Sequence, residues 1–158
     1  MSTRCQIEFY DAPQNGAELR EPAARLYKHS DGYPSNILVM LKQLEGILKV
    51  NIPSFGPRTD DPEWAAAEFI TQFRVKTNAR KLDTDNWRYE GEDRFATRGN
   101  VYVSHQIHED IAYLYRVVCK SKWEITVFRP VYDDSPGFNI KAFEAIKPAE
   151  LRKLAPSH

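Results

Sequence analysis

The chain is poor in most of what would announce an activity. It has no excess of either charge: 22 Lys and Arg stand against 22 Asp and Glu in 158 residues. A balanced chain has no global field to draw in nucleic acid or an anionic membrane, which argues against both as partners. Cysteine is scarce, with Cys5 and Cys119 alone. Both fall in segments of strand character far apart in sequence, which predicts buried, reduced thiols in place of a disulfide or a metal site. No apolar run approaches the roughly 18 residues of a membrane span, and the N-terminus lacks the apolar core of a signal peptide. The resulting expectation is a cytoplasmic protein. GxGxxG, P-loop, GxSxG, CxxC and HExxH patterns are all missing. The spacings therefore point to no cofactor, no metal and no catalytic residue, and enzyme status stays open.

Aromatics, by contrast, are plentiful, with eight Tyr, eight Phe and three Trp. The share of hydrophobic residues, 42%, and of charged ones, 28%, is that of a folded globular protein. A chain of this length fits a single domain, 1–158, around one core. Cys5, Ile7 and Phe9 alternate with Arg4, Gln6 and Glu8, which predicts a half-buried strand over 3–10. After a loop marked by Pro13 and Asn15-Gly16, a second strand over 23–29 is expected to pair antiparallel with the first.

Pro34 and Ser35, the latter as N-cap, open a helix over 35–50 with an apolar stripe of Ile37, Leu38, Leu41, Leu44, Ile47 and Leu48. Asp61 and Pro62 start another over 62–80. Its apolar face is Ala66, Phe69, Ile70 and Phe73, with Arg74, Lys76, Arg80 and Lys81 at its end. Residues 82–100 read as an irregular loop. The stretches 101–107, 111–119 and 123–131 are rich in β-branched and aromatic residues and predict a three-strand meander. A helical tail over 138–158 includes Pro148 to Leu154. The expected fold class is α+β: a two-layer sandwich whose mainly antiparallel sheet of about five strands carries two main helices on one face.

One junction concentrates chemistry. In Leu26-Tyr27-Lys28-His29-Ser30-Asp31-Gly32-Tyr33-Pro34 a strand ends, turns at Asp31-Gly32 and restarts as a helix. Asp can bond its own downstream backbone, Gly32 would supply positive φ, and Pro34 sets the helix entry. The free N–H groups of the helix start, with His29 and Tyr33 as donors, would suit an anion. Read more plainly, Asp31 caps the turn, Tyr33 packs and His29 ends a strand. His105 and His108, beside Glu109 and Asp110, would join His29 in a Zn or Mn site only if the two strand ends were neighbours. His29 with Asp110 would also make a proton-transfer pair.

Two aromatic groups read as structural. Between Arg80 and Arg98, Trp87, Tyr89 and Phe95 interleave with arginines, as in single-strand nucleic-acid binders. There Arg80, Lys81, Arg88, Arg94 and Arg98 are cancelled by Asp83, Asp85, Glu90, Glu92 and Asp93, so a solvated loop is expected. Tyr113, Tyr115, Trp123 and Phe128 read as core or cross-strand pairs.

The stretch 26–34 followed by an apolar helix, together with Asp110 to Val117 (DIAYLYRV), resembles an uncharacterised family of small bacterial and phage-borne proteins. The family-like positions are His29, Asp31, Gly32, Tyr33, Pro34, Asp110, Tyr113 and Tyr115. The resemblance spans about half the chain and implies no activity and no catalytic residue. The expectation is a small non-enzymatic binding module whose site lies where the 29–34 junction meets the 108–110 turn. Its ligand-binding residues would be His29, Asp31, Gly32, Tyr33, His108 and Asp110. They would hold a small anionic ligand such as a nucleotide or nucleotide-derived signal. The alternatives are a metal-dependent hydrolase using His29, His105 and His108, and an inhibitor-type module with a protein partner. A homo-oligomer is left open.

Overall fold

The period of two in the first strand sets the two faces of the sheet on which everything else is laid. A computed structural model describes residues 3–14, 17–50, 56–72, 75–78, 93–96, 101–134 and 139–155. The elements run β1 (Cys5–Asp11), β2 (Ala24–Lys28), α1 (Pro34–Lys49), α2 (Pro62–Gln72), β3 (Val75–Asn78), β4 (Asp93–Ala96), β5 (Val101–Val103), β6 (Tyr113–Cys119), β7 (Glu124–Tyr132), β8 (Ile140–Ala145) and α3 (Pro148–Leu154). The class is α+β, as expected. Six strands make one mixed sheet in the order β5-β2-β1-β6-β7-β8, and β3 and β4 pair separately. β1 and β2 are antiparallel, but β1 and β6 are parallel neighbours at the centre.

That central pair corrects the expected meander. β5 pairs with β2, not with β6. Since β5 opposes β2 and β2 opposes β1, β5 and β6 point the same way, and parallel strands cannot be joined by a tight turn. Residues 104–112 are instead a crossover passing β2 and β1. The strand expected over 101–107 stops at Val103: Ser104 makes one last in-register bond, its N–H to Arg25 O (2.9 Å), and its hydroxyl folds onto Gln106 O (2.8 Å).

Three further expectations change. α2 ends at Gln72, and the β-branched Val75 and Thr77 stand in β3 instead of a longer helix. Phe73, Arg74, Arg80 and Lys81 lie outside the described residues, as do 82–92. β4 takes 93–96 from the expected loop. Residues 140–145 form β8 against β7, where an available ladder outweighs the helical preference of Lys, Ala and Glu. α3 spans Pro148–Leu154, where the tail helix was expected.

Cys5, Ile7, Phe9, Leu26, Tyr115 and Val117 cover the helical face and pack on Ile37, Leu41, Leu44 and Leu48 of α1 and Phe69 of α2. Phe9 anchors this layer edge-on to Phe69 (6.5 Å) and Trp123 (6.1 Å). Ile47, expected in the stripe, is exposed. α1 begins one residue earlier than expected, with Pro34 in the first turn and Tyr33, not Ser35, at the N-cap. Asp61 caps α2 by accepting from Trp64 N at 2.9 Å, and the Trp123 indole donates to Thr59 O at 2.6 Å. Both cysteines are free and buried. Burial pushes each thiol up to about 12, against the pull of Lys28 at Cys5 and with the help of Asp11 at Cys119. Among the described residues no helix is long and apolar enough to cross a membrane.

Candidate functional site

β2 turns Tyr27 toward the face away from the helices, in register with Tyr102 of β5. Tyr27 is only 2% exposed. Among the described residues three rings surround it, with centroids at 4.2 Å (His108), 5.0 Å (Tyr102) and 6.2 Å (His29). Its hydroxyl donates to the Asp110 carboxylate at 3.2 Å, which Arg4 also binds, at 2.6 Å. Burial first, then the Asp110 charge, pushes the Tyr27 phenol up to about 12, so it stays a neutral donor. His29, His108 and Asp110 thus gather around a tyrosine.

The crossover is pinned by side chains from the strands beneath it. Gln6 is fully buried, yet both ends of its amide are met: Nε2 donates to Gln106 O (3.0 Å) and Oε1 accepts from His108 N (3.1 Å). Arg25 donates through Nε to Glu8 Oε1 (2.8 Å) and through Nη1 to His105 O (3.0 Å). Tyr10 closes the set by donating to Glu8 Oε2 at 2.6 Å. The polar side of β1, the outer face of a strand expected to be half-buried, is therefore buried and paired at Gln6, Glu8 and Tyr10.

Among the described residues the nearest approach to a catalytic pair is Ser104 Oγ, 3.0 Å from His108 Nε2. Gln106 O can only accept, so the single Ser104 proton points there, and the imidazole supplies the proton of the second bond. In that arrangement Ser104 serves as a buried structural hydroxyl bridging Gln106 and His108. The described residues contain no group of three or more His, Cys, Asp or Glu side chains placed to hold a metal ion, so His29, His105 and His108 form no ligand set.

The junction is built differently from its expectation. Asp31, not Gly32, takes the left-handed conformation (φ 55°). Gly32 is required by close approach: a Cβ there would sit 2.7 Å from Cys5 Cβ and 2.9 Å from Cys5 N. Its N–H donates to Thr3 O at 2.8 Å and its carbonyl accepts from the Tyr115 hydroxyl at 2.7 Å. Cys5 and Tyr115 belong to the helical layer, so Gly32, Tyr33 and the start of α1 attach to that face. His108 and Asp110 attach to the opposite one. Asp31→Gly should raise stability by up to about 1 kcal/mol in urea unfolding, because Asp bears a left-handed strain that Gly does not. A loss of stability would show instead that the Asp31 carboxylate holds the turn.

Tyr27, Tyr102, Gln6 and Arg4 were not singled out from the sequence. The only signal was strand alternation, which puts Arg25 and Tyr27 on one face and separates Tyr102 from Val101 and Val103. At the other end of β1, the loop after β1 and the turn after β6 diverge around a cleft of about 510 Å³ lined by Asp11, Glu18, Asp60 and Lys120, among others. Comparison of the chain with protein-family profiles, curated proteins and solved structures finds no match.

Proposed function

We propose that the protein is a small binding module of bacterial or phage origin, and that its ligand is a planar anion of nucleotide chemistry seated at the Tyr27 corner. One observation carries this reading: the exposed rings of Tyr102 and His29 are both held against a buried Tyr27. Tyr27 is itself locked by Asp110 and His108. Rings fixed in advance lose little freedom when a base stacks on them, and each stacked base contributes about 1–3 kcal/mol. Arg4 offsets the Asp110 charge, so the carboxylate does not repel an anion.

A second reading has its own support. On the edge strand β5, Val103 (71%) and Tyr102 (44%) are both exposed. An apolar sheet edge suits a protein partner that adds a strand.

A thermal-shift screen of nucleotides and cyclic nucleotides on wild type, Tyr102→Ala and His29→Ala separates the two. A ligand at about 100 times its Kd should add about 2.7 kcal/mol, or about 5–10 °C in Tm, and both variants should lose the response. If no nucleotide shifts the wild type, the small-ligand reading fails. Selective loss of a co-purifying protein in Val103→Asp would then favour the partner.

A further inference from the structure

The register sets two cations against one carboxylate on the face away from the helices: Glu8 lies opposite Arg25 on β2 and Arg116 on β6. Arg25 takes Glu8 Oε1 and the Tyr10 hydroxyl takes Oε2, so both carboxylate oxygens are occupied. Among the described residues no carboxylate pairs with Arg116. Its guanidinium lies instead between two rings, 5.3 Å from the centre of Tyr10 and 4.9 Å from that of Phe128. Arg116 Nε is buried without a hydrogen-bond partner. Thr126, its register partner on β7, is exposed beside it.

The buried Nε–H is left unmet, which costs stability, while the rest of the guanidinium bears on the Tyr10 side chain and, among the described residues, finds no carboxylate of its own. Two aromatic walls also hold this planar fork in one orientation, so little rotamer freedom remains to be lost when an acceptor arrives. We infer that Arg116, walled by Tyr10 and Phe128, is an oxyanion site independent of the Tyr27 corner. A phosphate or carboxylate group would accept two guanidinium N–H bonds in plane, with the Thr126 hydroxyl as a further donor.

The test uses pyrophosphate and succinate as separate probes, titrated at constant ionic strength into ¹⁵N-labelled protein. The signal is the Arg116 Nε–H resonance, assigned by its disappearance in Arg116→Gln. A saturable shift of that resonance, with Arg25 unmoved, is expected for at least one probe. Which probe acts tells a phosphate source from a carboxylate one. Arg116→Lys keeps the charge but not the fork and, followed at the Thr126 backbone amide instead, should bind about tenfold more weakly than wild type. A shift that never saturates, or that Arg25 shares equally, would reduce the effect to screening and overturn the site. Neither probe carries a ring system, and Tyr102→Ala should leave both titrations unchanged, so failure here is distinct from failure of the nucleotide reading.

Discussion

Gly32→Ala should cost about 3 kcal/mol, lowering Tm by about 6–12 °C. The added methyl would meet Cys5 Cβ at 2.7 Å and Cys5 N and Sγ at 2.9 Å. Only Sγ ends a side chain that could turn away; Cβ and N are fixed to the central strand. Relief would require the 29–34 junction to move off β1. That movement would stretch both bonds that tie Gly32 down, from its N–H to Thr3 O and from the Tyr115 hydroxyl to its carbonyl. Cys5→Ala in the same chain should not restore stability, because Cys5 Cβ and N remain. Urea unfolding of the single and double variants checks this. A loss below about 1 kcal/mol would show that the junction rides freely on the strand. Read beside Asp31→Gly, the pair should give opposite signs at adjacent positions, since one residue is limited by its backbone conformation and the other by its neighbour.

Glu8→Ala should be of similar size, a loss of about 3–5 kcal/mol, for a different reason. Glu8 is 2% exposed and the Arg25 side chain 14%. Removing the carboxylate leaves a largely buried guanidinium and the Tyr10 hydroxyl without their acceptor, and the burial penalty of both remains. Arg25 also holds His105 O, so the crossover should loosen, visible as faster amide exchange at 105–108. Replacing both partners, Glu8→Leu with Arg25→Met, should recover most of the loss, since an apolar pair leaves no stranded charge. If the double variant were as unstable as Glu8→Ala, the stabilisation would lie in the His105 anchor and not in the ion pair.

What the sequence could show follows from the range of its signals. The alternation of Cys5, Ile7 and Phe9 marks β1, because the two faces of a strand are written by adjacent residues. Asp61 ahead of Pro62 marks the start of α2, because a cap and its helix lie within one turn. Pro148 to Leu154 was legible for the same reason. Of the candidate site, His29, His108 and Asp110 were named from their strand ends and turn. Tyr27, around which they gather, was passed over as one more aromatic in a strand.

The chain by itself determined which segments are strands or helices wherever neighbouring residues carry the periodicity, and it placed the break between β2 and α1. Tertiary structure decided the rest. It put β5 on β2 and β6 parallel to β1, pairings between segments far apart in sequence that no local pattern encodes. It drew 140–145 into a strand because β7 offered a ladder. It buried Gln6 and Glu8, whose polar side chains are tolerable there only because 104–112 and Arg25 return to meet them. It made position 32 glycine through contact with Cys5, not through its dihedral angle. Each of these depends on what lies across the sheet, and that is settled only when distant parts of the chain bury their surfaces together.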